Sequence, residues 1–282
     1  MLRSVFVGYD SPLGRVVAHW LSEHTILAGC LWIPPSARWF KSWKGRLEFT
    51  RGRIRRRGLL RACDEAAFRL HYSISTRLSK NDRASKQLIA AYWSEHEPRD
   101  CGNELSVKLV NECSSLLHVR TLQPDIIFSH CIHQFFSTEL RSIPKIGTFM
   151  WHTGIMPQYR GLYSPFWALH NVDLGNIGYS LFRVSEVLDG GDVYVQGRIT
   201  NVDVLRDNHT HIAHKAMFAS FTDVARFIDD VECGTAHPLA SMGAASHYYS
   251  YPGITDYLRQ RRRIKQFLER QNASLRSMQE PP

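Results

Sequence analysis

The chain has 282 residues, of which 44% are hydrophobic and 22% are charged, and these values are typical of globular proteins. The length suits one large or two small domains, and the composition excludes collagen, coiled coils and chains that are disordered throughout. Apolar stretches such as residues 26–35 are interrupted well before the ~20 residues that a membrane-spanning helix needs. We therefore do not expect an integral membrane protein.

The N-terminus and the cysteines both bear on the cellular compartment. The first ten residues lack the basic and apolar regions of a secretory signal, so we expect a cytosolic protein. No two cysteines form a C-x-x-C pair, which favours reduced core thiols over a disulfide framework or a zinc site. The six cysteines are Cys30, Cys63, Cys101, Cys113, Cys131 and Cys233.

Basic residues outnumber acidic residues by 35 to 26, which gives a formal net charge of +9. Much of the excess lies in two runs, residues 51–61 and 259–265. Such runs are usually solvated helix faces. The alternative is a contact with a phosphorylated molecule or an anionic membrane. Aromatic residues support that alternative at the first run alone, where Trp39, Phe40 and Trp43 precede the arginines.

The first third of the chain predicts a βαβ unit. Residues 3–9 and 25–32 are short apolar runs typical of buried strands, and residues 15–21 between them have the apolar spacing of a helix. The chain then changes character, because residues 36–97 are basic and have helical spacing. We interpret residues 36–97 as a basic helical insertion between two elements of the sheet.

Strand and helix patterns alternate over the remainder. The predicted strands are residues 126–128, 145–151, 177–184 and 192–199, and the predicted helices are residues 103–120, 163–171, 210–230 and 255–270. This alternation predicts an α/β fold, a twisted and mostly parallel sheet with helices on both faces. Residues 272–282 are polar, and we expect a disordered tail there.

Two residues stand where such a fold places its reactive groups. His152 directly follows a predicted strand, at the carboxyl edge where open α/β sheets bind ligands. Asp189 lies in a glycine-rich turn between two later strands. An imidazole exchanges protons near pH 7, and a carboxylate stabilises the imidazolium. From spacing alone, a functional pair and two structural loop residues both remain open.

Two histidine clusters are weaker candidates for metal binding. His209, His211 and His214 are close in sequence, but the neighbouring Asp207 and Asn208 are typical helix-capping residues. The run from His130 through Cys131 to His133 does not supply a complete ligand set. We predict no metal site.

A long, ordered run of residues resembles a known family. It reads His152-Thr-Gly-Ile-Met-Pro-Gln-Tyr-Arg-Gly161, then Trp167-Ala-Leu, and then Leu188-Asp-Gly-Gly191. It resembles the signature of the folate-dependent formyltransferases, Asn-x-His-x-Ser-Leu-Leu-Pro-x-Tyr-Arg-Gly, followed by Trp-Ala-Ile and Asp-x-Gly. That family includes methionyl-tRNA formyltransferase, glycinamide ribonucleotide formyltransferase and the sugar-nucleotide N-formyltransferases. The resemblance covers about residues 105–215, with a looser fit over the first 35.

The resemblance implies a Rossmann-like fold, a reaction and a site. An amine would attack the formyl carbon of 10-formyltetrahydrofolate, with His152 as general base and acid and Asp189 as the carboxylate that sets its charge state. The domain would span residues 1–233, and residues 234–282 would be a C-terminal extension. The implied folate pocket is lined by His133, Gln134, Phe135, Phe136, Gly154, Ile155, Met156, Pro157, Leu188 and Gly190.

This chain departs from the family in three places. Met150 replaces the catalytic Asn, and a thioether cannot donate a hydrogen bond to an oxyanion, a loss that typically costs about 10²–10³ in rate. Residues 10–14 replace the phosphate-binding glycine loop of the glycinamide enzyme, and the residues after 215 do not resemble a tRNA-binding domain. We therefore expect a small phosphorylated or nucleotide-linked amine acceptor and no tRNA. The alternatives are a 10-formyltetrahydrofolate hydrolase and a non-catalytic folate or nucleotide binder.

Overall fold

The computed structural model describes residues 1–34, 51–52, 54–78, 80–99, 101–240 and 245–279. Its strands are β1 (Arg3–Tyr9), β2 (Ile26–Ile33), β3 (Glu104–Ser106), β4 (Ile126–His130), β5 (Gly147–His152), β6 (Arg160–Gly161), β7 (Gly178–Arg183), β8 (Val193–Arg198) and β9 (Tyr248–Tyr249). Its α-helices are α1 (Pro12–His24), α2 (Leu59–Leu78), α3 (Lys80–Glu95), α4 (Cys113–Leu122), α5 (Thr138–Arg141), α6 (Ser164–His170), α7 (His209–Cys233) and α8 (Ile254–Gln279). A 3₁₀ turn spans Leu174–Asn176.

Seven of the described strands form one twisted sheet in the order β3-β2-β1-β4-β5-β7-β8. The pairings from β3 to β5 are parallel, whereas β7 pairs antiparallel with both β5 and β8. The predicted α/β fold with a mostly parallel sheet is therefore confirmed. A separate pair, β6 with β9, joins the segment after β5 to the C-terminal part of the chain.

Helices cover both faces of the sheet, so its central strands are mostly apolar and bury side chains on both faces. In β1, Phe6 packs into the cluster that also contains the buried residues of α1 and α7, and Val5 and Val7 pack into the cluster on the α4 and α5 side. All three side chains are fully buried. The run of apolar residues that predicted β1 thus reflects burial on two faces.

The turn from β1 into α1 follows standard helix-start chemistry. The Ser11 side chain accepts a hydrogen bond from the Gly14 N–H, and Pro12 occupies the first turn, where its missing N–H costs nothing. A Cβ at Gly14 would lie 2.3 Å from the carbonyl oxygen of Tyr9. Glycine therefore lets α1 begin directly against the end of β1.

The predicted helix over residues 103–120 is wrong at its start. Residues 104–106 form β3 instead, and α4 begins at Cys113. The backbone N–H of Cys30 donates to the carbonyl of Asn103 at 2.9 Å, and Cys30 and Glu104 are register partners. Strand β2 would otherwise present an unpaired edge, so pairing across the sheet overrides the local helical spacing.

The segment between β2 and β3 contains α2 and α3, which confirms helix within residues 36–97. Residues 35–50, with Trp39, Phe40 and Trp43, lie outside the described residues. Part of the first basic run is internally paired, because Arg57 and Arg61 both contact the buried carboxylate of Glu65. The basic run at 51–61 is therefore only in part a solvated face.

Helix α8 continues to Gln279, so residues 272–279 of the predicted tail are helical, and residues 280–282 lie outside the described residues. Among the described residues, none of the helices has the combined length and hydropathy to cross a bilayer. All six cysteines are free thiols, but Cys63, Cys113, Cys131 and Cys233 are exposed. The expectation of core thiols is therefore correct for Cys30 and wrong for those four.

Candidate functional site

A cleft of about 550 Å³ opens at the carboxyl edge of the sheet. It lies where the chain order switches, because β1 connects to β2 on one side and pairs with β4 on the other, and open α/β sheets bind ligands at such a point. Residues from β1, β4, β5, α2, α7 and the loops before β8 and β9 line it. They include Tyr9, Tyr72, His130, Cys131, His133, Gln134, Phe135, Met150, His152, Ser164, Leu188, Asp189, His209, Thr210, Ala213, His214 and Tyr248.

The His152 ring is held from behind by the loop that follows β5. Its Nε2 lies 2.9 Å from the carbonyl oxygen of Tyr159 and 2.9 Å from the Ser164 hydroxyl. The Ser164 hydroxyl donates to the same Tyr159 carbonyl at 2.9 Å. Because a carbonyl oxygen only accepts, Nε2 carries the proton, and the lone pair of the neutral ring is on Nδ1. In this tautomer, Nδ1 is the ring nitrogen that can accept a further proton.

The loop that carries Asp189 is fastened to the Tyr-Arg-Gly segment. Oδ2 of Asp189 accepts a hydrogen bond of 3.0 Å from the Gly161 N–H, and the Arg160 guanidinium donates to the Leu188 carbonyl. Gly161 has φ +90°, and a Cβ there would lie 2.2 Å from the Tyr249 carbonyl oxygen. The Tyr-Arg-Gly segment thus positions both Asp189 and β9 against the cleft.

Burial keeps several cleft histidines uncharged near pH 7. Desolvation lowers the pKa of His130 to about 4 and that of His209 to about 3, and it also lowers the pKa of His133. Among the described lining residues, Asp189 is the one acidic side chain, and none is Arg or Lys. The cleft therefore offers neutral aromatic and imidazole walls around a single carboxyl group.

The cleft contains six of the twelve residues that sequence reasoning assigned to the site. His152, Asp189, His133, Gln134, Phe135 and Leu188 line it, although both ends of the Gln134 amide are bonded to the backbone of the segment before α4. The structure places the other six outside the lining. These are Phe136, Gly154, Ile155, Met156, Pro157 and Gly190.

The loop after β5 explains most of this difference. Ile155 and Met156 are buried, and Met156 is bonded to the sheet through its N–H to Ser180 and its carbonyl to Gln196. The loop therefore folds back onto β7 and β8 and supports the His152 ring. Gly154 belongs to this support, since a Cβ there would lie 2.7 Å from Nε2 of His152 and 2.5 Å from Cβ of Ser164.

Sequence reasoning missed the walls contributed by α2 and α7. Tyr72, His209, Thr210 and His214 all line the cleft. The close spacing of His209, His211 and His214 at the start of α7 was the feature of the sequence that could have indicated this wall of the cleft. His211 instead faces away and contacts Asp207 and Ser85, so the three histidines of this segment do not converge.

Met150 lies on β5 and lines the cleft. It is 8% exposed and is in register with Ser129 on β4 and Phe182 on β7. The Ser129 hydroxyl is buried and has no hydrogen-bond partner among the described residues. An amide side chain at position 150 would offer a partner that the thioether does not.

Comparison with known proteins gives both sequence and structural relatives. No family model matches the chain. Over 143 residues, 49% of this chain, it is 26% identical to the bifunctional polymyxin resistance protein ArnA of Wigglesworthia glossinidia brevipalpis. Over 133 residues, 47% of this chain, it is 28% identical to methionyl-tRNA formyltransferase of Clostridium acetobutylicum. The chain spans 21% and 42% of the length of these two relatives.

The fold agrees with these matches. A sugar N-formyltransferase from Shewanella superposes with a TM-score of 0.52 over 90% of this chain and 78% of that chain, at 13% identity. This chain is related to the formyltransferases. The His152 and Asp189 segments of this chain both lie at the cleft.

We predict that the substitution Gly154→Ala lowers the free energy of unfolding of this chain. The added methyl group would overlap His152 and Ser164, and overpacking of this kind typically costs about 1–3 kcal/mol. Gly175→Ala is the matched control, because a Cβ at Gly175 meets nothing within 4 Å. Urea unfolding measures both free energies, and equal stabilities of the two variants would contradict the described packing.

Acid should destabilise the fold through His130. Its pKa in the folded chain, about 4, lies below its ordinary value of 6.5, so between these pH values the unfolded chain binds more protons. The stability that neutral His130 contributes to the fold is fully present above pH 6.5 and is lost as the pH falls toward 4. His130→Gln should reduce the slope of unfolding free energy against pH in this window, by at most about 1.4 kcal/mol per pH unit.

The control for this measurement is His237→Gln, because His237 is exposed. Denaturant unfolding at a series of pH values gives the slope for each protein. A slope that is the same in wild type and His130→Gln would contradict the assignment of a buried neutral imidazole.

Proposed function

We propose that this chain transfers a formyl group from 10-formyltetrahydrofolate to the amine of a small phosphorylated or nucleotide-linked acceptor in the cytosol. One observation carries the proposal. His152 and Asp189, from separate sheet connections and in the motif order of the formyltransferases, line a single cleft. The relation to formyltransferases in sequence and fold supports the reaction class.

The shape and polarity of the cleft suit the donor. About 550 Å³ lies within the range of small-molecule sites. The lining combines aromatic side chains with neutral imidazoles, which fit a flat heteroaromatic ring system better than an anion. We propose that His133, Phe135 and Leu188 contact the folate, and that the loop from Gly154 to Pro157 acts indirectly by holding His152.

The protein groups supply proton transfer at defined atoms. When bound, 10-formyltetrahydrofolate provides the formyl carbon that the acceptor amine attacks. His152 takes the proton of the amine at Nδ1, while Nε2–H stays bonded to the Tyr159 carbonyl. The same proton then returns from Nδ1 to the departing folate nitrogen. Asp189 stabilises the imidazolium form of His152 between these two transfers.

Met150 leaves the oxyanion without the side-chain donor of the family. Once protonated, His152 presents an Nδ1–H that donates to a negatively charged oxygen. We propose that this single donor replaces the missing amide, at a cost of about 10²–10³ in rate relative to a site that has both.

Positive charge at the mouth of the cleft supports an anionic acceptor. The interior lining contains no Arg or Lys among the described residues. Burial and the Asp189 carboxylate raise the pKa of Tyr248 at the rim, whereas Arg160 and Arg57, which lie near it, lower this pKa. We propose that the phosphate of the acceptor stays outside the cleft, near these two arginines, while its amine reaches His152.

We predict that His152→Asn and Asp189→Asn each lower kcat/KM for formyl transfer by at least about 100-fold, because a positioned acid–base group contributes about 10²–10⁴. The assay follows folate product with a panel of phosphorylated and nucleotide-linked amines, and His237→Asn is the control. Undiminished transfer in His152→Asn would contradict the mechanism. Folate product at the same rate without any amine would indicate the hydrolase.

Met150 favours one second candidate, a folate binder without catalysis. The variant Met150→Asn separates the two functions, because it restores an amide donor beside Ser129. If wild type is a transferase, the variant should turn over faster by about 10-fold or more. A wild-type chain that binds folate but transfers nothing, beside an active Met150→Asn, would establish the non-catalytic binder.

A further inference from the structure

Three metal-ligating side chains converge at the β2–β3 edge of the sheet, away from the cleft. Ligand atoms of Cys30, Cys101 and Glu104 all lie within 4.8 Å of one another. Among the described residues, this is the one group of three or more His, Cys, Asp or Glu side chains that comes together in this way. None of the three lines the cleft, so the cluster has no part in the proposed reaction.

The backbone holds this cluster in place. Cys30 on β2 is the register partner of Glu104 on β3, and its N–H donates to the Asn103 carbonyl at 2.9 Å. The Cys30 side chain is fully buried and is hydrogen-bonded to Cys101. Cys101 is half-buried, and the Glu104 side chain is 28% exposed. The three groups thus run from the core to the surface, which provides an entry path for an ion.

Arg15 orients the carboxylate of the cluster. Its guanidinium donates to Oε1 of Glu104 at 2.6 Å and to Asp10 at 3.0 Å, and it lies over the Trp32 ring at 4.1 Å. Oε2 of Glu104 is not used in that contact. Partners of this kind fix a ligand's direction and are typical of metal sites.

We propose that Cys30, Cys101 and Glu104 bind one zinc ion. Thiolate and carboxylate ligands together suit Zn²⁺ among the common divalent ions. Binding replaces the two thiol protons, which pass to solvent, and forms two zinc–sulfur bonds and one zinc–oxygen bond. Two thiolates, one carboxylate, Zn²⁺ and the Arg15 guanidinium sum to zero charge. A water molecule on the exposed side completes four-coordination.

The ion would have a structural effect. Strand β3 has three residues and lies at the sheet edge, where the chain returns from α3. Zinc would fasten this return to β2 and so stabilise the junction between the α2–α3 segment and the sheet. The proposal does not depend on formyl transfer.

The test uses the full chain, purified in reductant without a metal-binding tag. Elemental analysis should find one zinc per chain, and titration of the stripped protein with Co²⁺ should give thiolate-to-cobalt charge-transfer absorption. Cys101→Ser should lose the stoichiometric zinc and that absorption. Glu104→Gln, a surface change, should weaken Co²⁺ binding at least about 10-fold. Cys113→Ser, which removes another exposed thiol, should bind as wild type.

Three results would overturn the zinc site. One is a wild-type chain that retains no zinc and shows no charge-transfer absorption with Co²⁺. Another is Cys101→Ser or Glu104→Gln with unchanged binding. The third is a Cys30–Cys101 disulfide, found by mass spectrometry in the protein purified under reductant, since that bond would consume both sulfur ligands.

Discussion

The hydrogen bond between His152 and the Tyr159 carbonyl is the contact on which the site depends. It places the proton on Nε2 and leaves the lone pair of the ring on Nδ1. The carbonyl is available because residues 153–159 fold back onto β7 and β8, where Ser180 and Gln196 bind Met156. The antiparallel end of the sheet therefore supports the loop that orients the His152 imidazole.

Elements outside the central sheet, namely α2, α7 and the segment around β9, also form walls of the cleft. Helix α2 contributes Tyr72, α7 contributes His209 and His214, and the segment around β9 contributes Tyr248. The His209 wall is neutral at physiological pH, because burial lowers the pKa of His209 to about 3. The cleft thus combines aromatic and imidazole walls with the carboxyl group of Asp189, the one acidic side chain among its described lining residues.

The sequence predicted the central strands well, because strands buried on both faces are continuous apolar runs. It failed at β3, where Glu104, Leu105 and Ser106 become a strand through pairing with β2. For the site, the motif identified His152 and Asp189 but treated Gly154 to Pro157 as lining. The direction in which that loop folds depends on Ser180 and Gln196, which are distant in sequence. Tyr72 was missed for the same reason, since only packing of α2 brings it to the cleft.

Calorimetric titration with a non-hydrolysable 10-formyltetrahydrofolate analogue tests the central claim most directly. Ala213 lines the cleft, whereas Ala219 is exposed on the same helix, so Ala213→Trp and Ala219→Trp form a matched pair. Our account predicts micromolar binding to wild type and Ala219→Trp, and its loss in Ala213→Trp. Absence of binding to the wild-type chain at millimolar ligand, or equal binding by both variants, would contradict it.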